Sequence, residues 1–142
     1  MAAARRPATY LLARVPLFTA LSKRQLARVA SVADERADPE GRVLMEAGHP
    51  GKAIHVITSG KVKVMKGRVT EAELGPGDFF GELALLDGEA RTRTIVAATP
   101  LQTIHIERPA FRNLLKREPD IAIALLEGMA RRTRKILDSP SQ

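Results

Sequence analysis

The sequence contains no cysteine, few aromatic residues and no long apolar run. Without cysteine the chain forms no disulfide and has no thiolate nucleophile, so a reducing compartment is compatible with it. Aromatic residues make up 4% of the chain, so its core must be built mainly from aliphatic side chains. No segment approaches the ~20 apolar residues that a transmembrane helix requires. We therefore expect a cytoplasmic protein without a membrane span.

Acidic residues are absent from the first 33 positions, where six arginine and lysine residues give a charge of +6. Nearly all of the net charge of +7 therefore belongs to this segment. A basic segment can bind nucleic acid or anionic lipid, but a solvated helix face with a floppy tail is the simpler interpretation. We predict a basic tail over residues 1–14.

Glycine and proline recur between residues 34 and 107, where they separate short β-rich segments. This spacing is typical of a small all-β sandwich, roll or barrel. Helical patterns flank the region, with a capping-box pair at Ser22 and Gln25 and helix-starting prolines at Pro109 and Pro119. The predicted strands lie at 43–45, 54–58, 61–65, 70–74, 95–98 and 101–106, with a tight turn at 66–68.

These patterns predict one domain over residues 15–137. Its parts, in chain order, are a helical segment at 15–33, a β-roll at 34–107 and C-terminal helices at 108–137. A short tail, 138–142, follows. This remainder is too short to form a helix-turn-helix, so the sequence predicts no DNA-reading element of that kind.

The most informative segment runs from Phe79 to Thr94. Gly81 and Glu82 begin a short helical turn, and Arg91 follows nine residues after Glu82, just before a β-branched strand. Amides at a helix start, a guanidinium and a carboxylate are groups that can bind a phosphate and a sugar hydroxyl. The segment resembles the phosphate-binding cassette of the cyclic nucleotide-binding domain, found in catabolite activators, protein kinase A regulatory subunits and cyclic-nucleotide-gated channels.

The resemblance implies a mainly β fold with flanking helices. It is an antiparallel, jelly-roll-like β-roll with an inserted phosphate-binding turn, an N-terminal helix and two C-terminal helices. The implied ligand is cAMP or cGMP, and no cofactor is expected. The resemblance assigns the ribose 2′-hydroxyl to Glu82 and the phosphate to Arg91. Beside them we expect the amides of Leu83 and Ala84 to face the phosphate, with Gly81 allowing close approach of the backbone.

Two further residues of the cassette bear on the ligand. Threonine at position 92 is associated, by resemblance, with tolerance of or preference for cGMP. Arg93 departs from the family, which usually has a small residue there. In an extended strand Arg93 shares a side with Arg91, so it could crowd the phosphate, add a second cation or be turned outward by a bulge. An outward, solvated arginine is the simplest of these interpretations.

The apolar stripe of the last helix supplies candidates for a lid over the purine. Leu125, Leu126 and Met129 all lie on it, and the sequence does not choose among them. The rest of the stripe must pack on the roll or on a second copy of the chain, so a homodimer through this helix is one expected partner state.

Catalytic sites are not indicated. The three histidines, His49, His55 and His105, are isolated in sequence, although strand pairing could bring His55 near another. No Walker lysine, nucleophile elbow or cysteine is present, so we predict no catalytic residue, no metal and no enzymatic activity.

The sequence therefore predicts a stand-alone cyclic nucleotide sensor that acts on a separate protein effector by closure of its C-terminal helix. Two alternatives stay open. One is an interaction or dimerisation protein with a relict pocket, and the other is a basic binder of nucleic acid or lipid surfaces.

Overall fold

The computed structural model describes residues 8–139, which form two compact units. A helical unit combines residues 8–31 with residues 113–139, and a β unit comprises Val32–Arg112. Among the helices of residues 8–139, none has the length and apolar content needed to cross a bilayer.

The helical unit begins earlier than the sequence predicted. Helix α1, Ala8–Leu12, lies inside the segment assigned to a basic tail and buries Leu11 and Leu12. Five residues are too few to form a stable helix in isolation. The burial of these two leucines, and not intrinsic helix propensity, therefore stabilises α1. The prediction missed α1 because its apolar patch is short and followed at once by Arg14. Residues 1–7 of that tail and 140–142 of the C-terminal tail lie outside the described residues.

Helix α2, Lys23–Ala30, follows a 3-10 turn at Pro16–Phe18. The predicted capping box is confirmed: Gln25 N donates to Ser22 Oγ at 3.2 Å, and Ser22 N donates to Gln25 Oε1 at 2.9 Å. These two hydrogen bonds satisfy amides that the first turn of a helix otherwise leaves unpaired.

Helices α3, Arg108–Arg117, and α4, Pro119–Asp138, complete the described chain. Gly128 is buried on α4, and a Cβ built there would lie 2.8 Å from the Cβ of Ala20. Glycine therefore lets α4 pack closely against Ala20, which is the structural reason for a residue that costs about 1 kcal/mol of helix propensity.

The β unit contains two antiparallel four-stranded sheets in the described residues, with strand orders β1-β8-β3-β6 and β2-β7-β4-β5. This architecture confirms the predicted antiparallel β-roll. The strands are β1 Asp34–Asp38, β2 Val43–Met45, β3 Ala53–Ser59, β4 Val62–Lys66, β5 Val69–Leu74, β6 Phe79–Phe80, β7 Thr94–Ala97 and β8 Leu101–Glu107.

Both sheets contribute to the core of the roll. Its buried side chains come from strands of each sheet and are aliphatic apart from one phenylalanine, as the shortage of aromatic residues implied. The members are Met45, Ile57, Val62, Phe80, Ile95, Ala97 and Leu101.

Strand β1 was not among the predicted strands, because it has no apolar alternation. It pairs with β8 from Asp34 opposite His105 to Asp38 opposite Leu101. Asp38 is buried, and its carboxylate accepts a 3.0 Å hydrogen bond from Arg36 Nε and lies 3.5 Å from Arg42 Nη1. A buried carboxylate paired in this way can occupy a core-facing position that pattern analysis reserves for apolar side chains.

Candidate functional site

Strand β6 is followed directly by Gly81, which has a left-handed backbone with a φ of +85°. A Cβ at this position would overlap the carbonyl oxygen of Ala53, at the start of β3. From the sequence, Gly81 was expected to make room for a ligand. In the structure the missing Cβ makes room for strand β3, and the approach of a ligand to this backbone stays a prediction.

A 3-10 turn, Glu82–Leu85, follows Gly81 and differs from the expected arrangement of amides. The N–H of Ala84, which we expected to face a phosphate, instead donates to the carbonyl oxygen of Gly81 at 3.1 Å. The reason is the turn type: a 3-10 turn bonds residue i to i−3 and satisfies its amides one residue earlier than an α-helix does. Glu82 is half-buried at the first position of this turn, where a carboxylate suits the positive end of the helix dipole.

Two leucines of the turn have opposite environments. Leu85 is fully buried, whereas Leu83 is 52% exposed. A turn with about three residues per repeat places residues two positions apart on different sides, so the two side chains diverge.

The second half of the cassette is bonded to the loop before β3. Arg91 N donates to His49 O at 2.9 Å, and Gly48 N donates to Arg91 O at 2.8 Å. A third bond, from Gly51 N to Glu89 O at 3.1 Å, extends this short antiparallel ladder. The ladder fixes the backbone of Arg91, which sequence spacing alone could not establish.

Gly51 brings the arginine and the turn together. A Cβ built on Gly51 would overlap the Cβ of Ala84 and lie 3.1 Å from Cδ of Arg91. The side-chain stem of Arg91 and the 3-10 turn therefore meet over one glycine. No local sequence pattern distinguishes Gly51, because Ala84 and Arg91 are more than thirty positions away in sequence.

Arg91 is half-buried, and its guanidinium has no hydrogen bond or ion pair within residues 8–139. A guanidinium is planar, always charged and able to form two parallel hydrogen bonds with an anion. An arginine that binds an anion needs an aliphatic chain held in place and a guanidinium without an internal partner, and Arg91 has both.

Arg93 is paired differently from Arg91. Its Nε lies 2.5 Å from Oε1 of Glu71 on β5, and its Nη1 donates to the carbonyl oxygen of Thr92 at 3.3 Å. This contact directs Arg93 to an edge strand of the sheet and favours the outward-facing interpretation. Thr92 itself is exposed.

The three lid candidates differ in exposure within the helical unit. Leu125 is buried, Met129 is half-buried and Leu126 is 66% exposed. Leu125 therefore belongs to the core of the helical unit, and which residue covers a purine stays a prediction.

Two histidines that are isolated in sequence are paired in space. His55 on β3 lies opposite His105 on β8, with ring centroids 5.8 Å apart, and it also stacks on Phe80 at 4.8 Å. Burial, with the nearby charges of His105 and Arg36 second, lowers the pKa of His55 to about 3. Among the described residues, no group of three His, Cys, Asp or Glu is placed to hold a metal ion.

A cavity of about 490 Å³ adjoins this histidine pair. Arg36, Met45, Gly51, His55 and His105 are among its lining residues, whereas neither Glu82 nor Arg91 is. The residues that carry the phosphate-binding pattern thus do not line this hollow, although Gly51, which lies against Arg91, does. Glu82 and Arg91 are the stronger candidates for a ligand site, because a carboxylate and a guanidinium at this spacing match a specific kind of ligand. The charges around the cavity are of both signs and match no particular ligand.

An antiparallel β-roll with a glycine, a carboxylate and an arginine in the segment between β6 and β7 defines a class of ligand-binding domain. The family model described as "Cyclic nucleotide-binding domain" matches residues 35–118. The chain belongs to the cyclic nucleotide-binding domain family.

Three similar proteins illustrate the range of this family. The chain is 37% identical, over 79% of its length and 31% of the relative's, to a cyclic nucleotide-gated potassium channel of Mesorhizobium japonicum. It is 30% identical, over 88% of its length and 58% of the relative's, to a CRP-like cAMP-activated global transcriptional regulator of Mycobacterium tuberculosis. The chain thus spans only part of each of these two relatives. The N-terminal domain of a transcriptional regulator from Streptomyces coelicolor has a similar structure, with a TM-score of 0.81, 34% identity and coverage of 93% of this chain and 98% of that one.

Proposed function

We propose that this chain is a non-catalytic sensor that binds cAMP or cGMP at the cassette formed by residues 81–92. Arg91 pairs with the cyclic phosphate, Glu82 accepts the ribose 2′-hydroxyl, and the backbone beside Leu83 adds amide donors. Thr92 lies at the position from which a hydroxyl can reach both phosphate and purine. We place this activity in the cytoplasm.

One observation carries the proposal. The stem of Arg91 is held against the 3-10 turn at Gly51, while its guanidinium has no partner within the described residues. A guanidinium without an internal partner can form two parallel hydrogen bonds with the phosphate of a ligand. The names of the relatives support the class of ligand, since one is gated by cyclic nucleotides and another is activated by cAMP.

Calorimetric titration with cAMP and cGMP, side by side, tests the proposal. We expect heat from at least one nucleotide, and loss of the guanidinium in Arg91→Ala to weaken binding at least about tenfold, because a charge-assisted contact is removed. Arg68→Ala is the matched control, since Arg68 is an exposed arginine in the turn between β4 and β5. Equal binding by the wild type and Arg91→Ala would refute the assignment of the cassette.

Signalling is proposed to pass through α4. Ligand binding draws this helix over the purine and changes the surface that a separate protein effector, or a second copy of this chain, contacts. The described part of α4 carries exposed positions at alternating spacings of three and four: Ile123, Leu126, Ala130, Thr133 and Leu137. This is the repeat of a two-helix seam, which supports a homodimer through α4.

Because that apolar face is exposed, dimerisation with a relict pocket is the second candidate function. This alternative requires Arg93 to obstruct the cassette. The contact of Arg93 with Glu71 directs the side chain to an edge strand, which argues against such an obstruction. A protein that dimerises yet shows no heat with either nucleotide would favour this candidate. Binding of the basic N-terminal segment to DNA or anionic vesicles would be recognised by a steep salt dependence.

A further inference from the structure

A row of aromatic rings crosses the inner face of the sheet β1-β8-β3-β6. Phe80 on β6, His55 on β3 and His105 on β8 are cross-strand neighbours in the register of this sheet. The rings of Phe80 and His55 are stacked at 4.8 Å with 15° between their planes, and those of His55 and His105 at 5.8 Å with 20°. The next cross-strand neighbour, Asp34 on β1, carries no ring, so the row ends at His105.

The two histidines have hydrogen-bonding atoms that no protein group satisfies. His55 is only 4% exposed, and its Nδ1 and that of His105 are buried without a hydrogen-bond partner in the part of the chain that the structure describes. Burial lowers the pKa of His55 to about 3, so at neutral pH its ring is uncharged and has one N–H donor and one acceptor nitrogen. Buried polar atoms are nearly always hydrogen-bonded, so two unpaired nitrogens side by side indicate a function rather than a contribution to stability.

Both histidines line the cavity of about 490 Å³ in the β unit. Its other walls come from β2, from the loop of residues 49–52 and from Arg36 on β1. Sites for small molecules typically enclose roughly 300–1,000 Å³, with a mainly apolar lining and a few polar groups. The apolar part of this lining is formed by Val43, Leu44, Met45, Pro50 and Ala53. The cavity therefore has the size and the mixed lining of a small-molecule site.

This cavity is distinct from the proposed nucleotide site. It lies beside β1 and β2, which are edge strands of their two sheets, whereas the cassette joins β6 to β7. Among the described residues, none from 79–94 and none from β4 or β5 lines it. Gly51 lines the cavity and also lies against Arg91, so the two sites adjoin without sharing a polar side chain.

The lining favours an uncharged ring over an ion. Two carboxylates and two cations surround the cavity, so its charges select neither an anion nor a cation; they belong to Glu46, Glu107, Arg36 and Lys52. The uncharged nitrogens of the histidine row are left as the groups that can orient a ligand. A flat heteroaromatic molecule can stack on such rings, cover apolar side chains and exchange hydrogen bonds with imidazole nitrogens.

We propose that this cavity is a second binding site, which takes an uncharged heteroaromatic molecule of one or two rings. Ring nitrogens of the ligand hydrogen-bond to the imidazoles of His55 and His105, and its faces lie against the apolar side chains of β2. All of the lining residues belong to the β unit. The second site does not depend on the proposed function, because no part of the argument uses the cassette as a ligand site.

Titration with benzimidazole tests this proposal. Benzimidazole is uncharged at neutral pH and has one N–H donor and one acceptor nitrogen, and NMR follows the ring resonances of the chain's three histidines. We expect saturable shifts of His55 and His105, with half-saturation at about 1 mM or below. Shifts that are absent, or that do not saturate, overturn the inference.

Indene distinguishes hydrogen bonding from simple filling of the cavity. It has nearly the same two-ring shape but no nitrogen, so it should bind at least about tenfold more weakly than benzimidazole. His55→Phe keeps a ring against Phe80 and removes both nitrogens, and it should lose most of this preference. Equal affinity of the wild type for the two compounds, or an unchanged preference in His55→Phe, overturns the inference.

Two exposed valines supply a matched pair of variants that leave the core intact. Val43 on β2 is 46% exposed and lines the cavity, whereas Val69 on β5 is 64% exposed and does not. Val43→Trp places an indole over the cavity and should weaken benzimidazole binding at least about tenfold. Val69→Trp adds the same group to an edge strand elsewhere and should bind as the wild type does. Equal binding by the two variants overturns the inference.

Arg91→Ala separates the second site from the cassette. Because Arg91 does not line the cavity, this variant should bind benzimidazole as tightly as the wild type. If the benzimidazole shifts disappear in Arg91→Ala, the probe occupies the cassette and the inference is overturned. If the wild type binds neither cAMP nor cGMP, the proposed function fails, while the benzimidazole titration still decides whether the second site exists.

Discussion

At the scale of single residues, Gly51 determines whether Arg91 can lie beside the 3-10 turn. Gly51→Ala forces the new methyl group into Ala84 and against the stem of Arg91. Overpacking of this kind typically costs about 1–3 kcal/mol, and here it also displaces Arg91, the residue that we propose binds the phosphate. We expect calorimetry to show weaker nucleotide binding in this variant, by about tenfold or more.

Gly75→Ala is the matched control for that experiment. Gly75 has no positive φ, and nothing lies within 4 Å of its added Cβ, so the same change should leave binding intact. If Gly51→Ala binds as tightly as Gly75→Ala, Arg91 does not depend on Gly51 for its position.

The sequence predicted the residues with recognisable chemistry and missed those that place them. Glu82 and Arg91 were selected because carboxylate, guanidinium and glycine occur at a specific spacing, and their roles stay a prediction. Gly51 lies against Ala84 and Arg91, which are more than thirty positions away, and no local pattern reports such contacts. The pairing of the Ala84 amide was not predicted for a related reason, since the sequence does not distinguish a 3-10 turn from an α-helical one.

At the scale of secondary-structure elements, α4 combines a buried side with an exposed apolar side. Its buried residues are Ile121, Ala124, Leu125 and Gly128, whereas Ile123 and Leu126 are 56% and 66% exposed. Apolar surface of this kind on a helix is typical of an interface. The sequence predicted an apolar stripe but not this division, because Leu125 and Leu126 are adjacent and only packing separates them.

We expect the wild-type chain to sediment as a dimer and Leu126→Glu to sediment as a monomer. Opposed glutamates in a helical seam would bury like charges, which is strongly unfavourable. Glu127→Gln, at the exposed neighbouring position, should remain dimeric. A monomeric wild type, or a Leu126→Glu variant that still dimerises, would contradict the assignment of this face as the interface.

Strand β1 shows where sequence patterns for elements reach their limit. Its inward position is filled by Asp38, whose carboxylate is satisfied by Arg36 and Arg42. Apolar alternation predicts a strand only when the core side is apolar, so a strand with a buried ion pair is invisible to that criterion. The apolar strands β2, β3, β4, β7 and β8 were all predicted close to their observed bounds.

At the scale of the whole molecule, the buried histidine makes unfolding depend on pH. The pKa of His55 is about 3 in the folded chain, below its ordinary value of 6.5. Between these values the unfolded chain binds the proton and the folded chain does not, so stability is complete above pH 6.5 and falls as the pH falls towards 3. At pH 5 the loss amounts to about 2 kcal/mol, as an order of magnitude.

Urea denaturation at pH 7 and pH 5 measures this effect. The free energy of unfolding should fall between the two conditions in the wild type, and the fall should be smaller in His55→Phe, which keeps the stack with Phe80. His49→Gln serves as a control, since His49 is exposed. If the free energy of unfolding falls no more in the wild type than in His55→Phe, His55 is not buried in its neutral form.

The close packing of Gly128 on Ala20 has a mechanical consequence. Beyond Gly128, α4 continues for ten residues, about 15 Å of helix, and residues 133–138 are all exposed. A rotation of about 10° around the Gly128 contact would carry the tip of this arm through about 2.6 Å. A small tilt of α4 at this contact would therefore displace its exposed C-terminal end by a larger distance, which a bound neighbour could register.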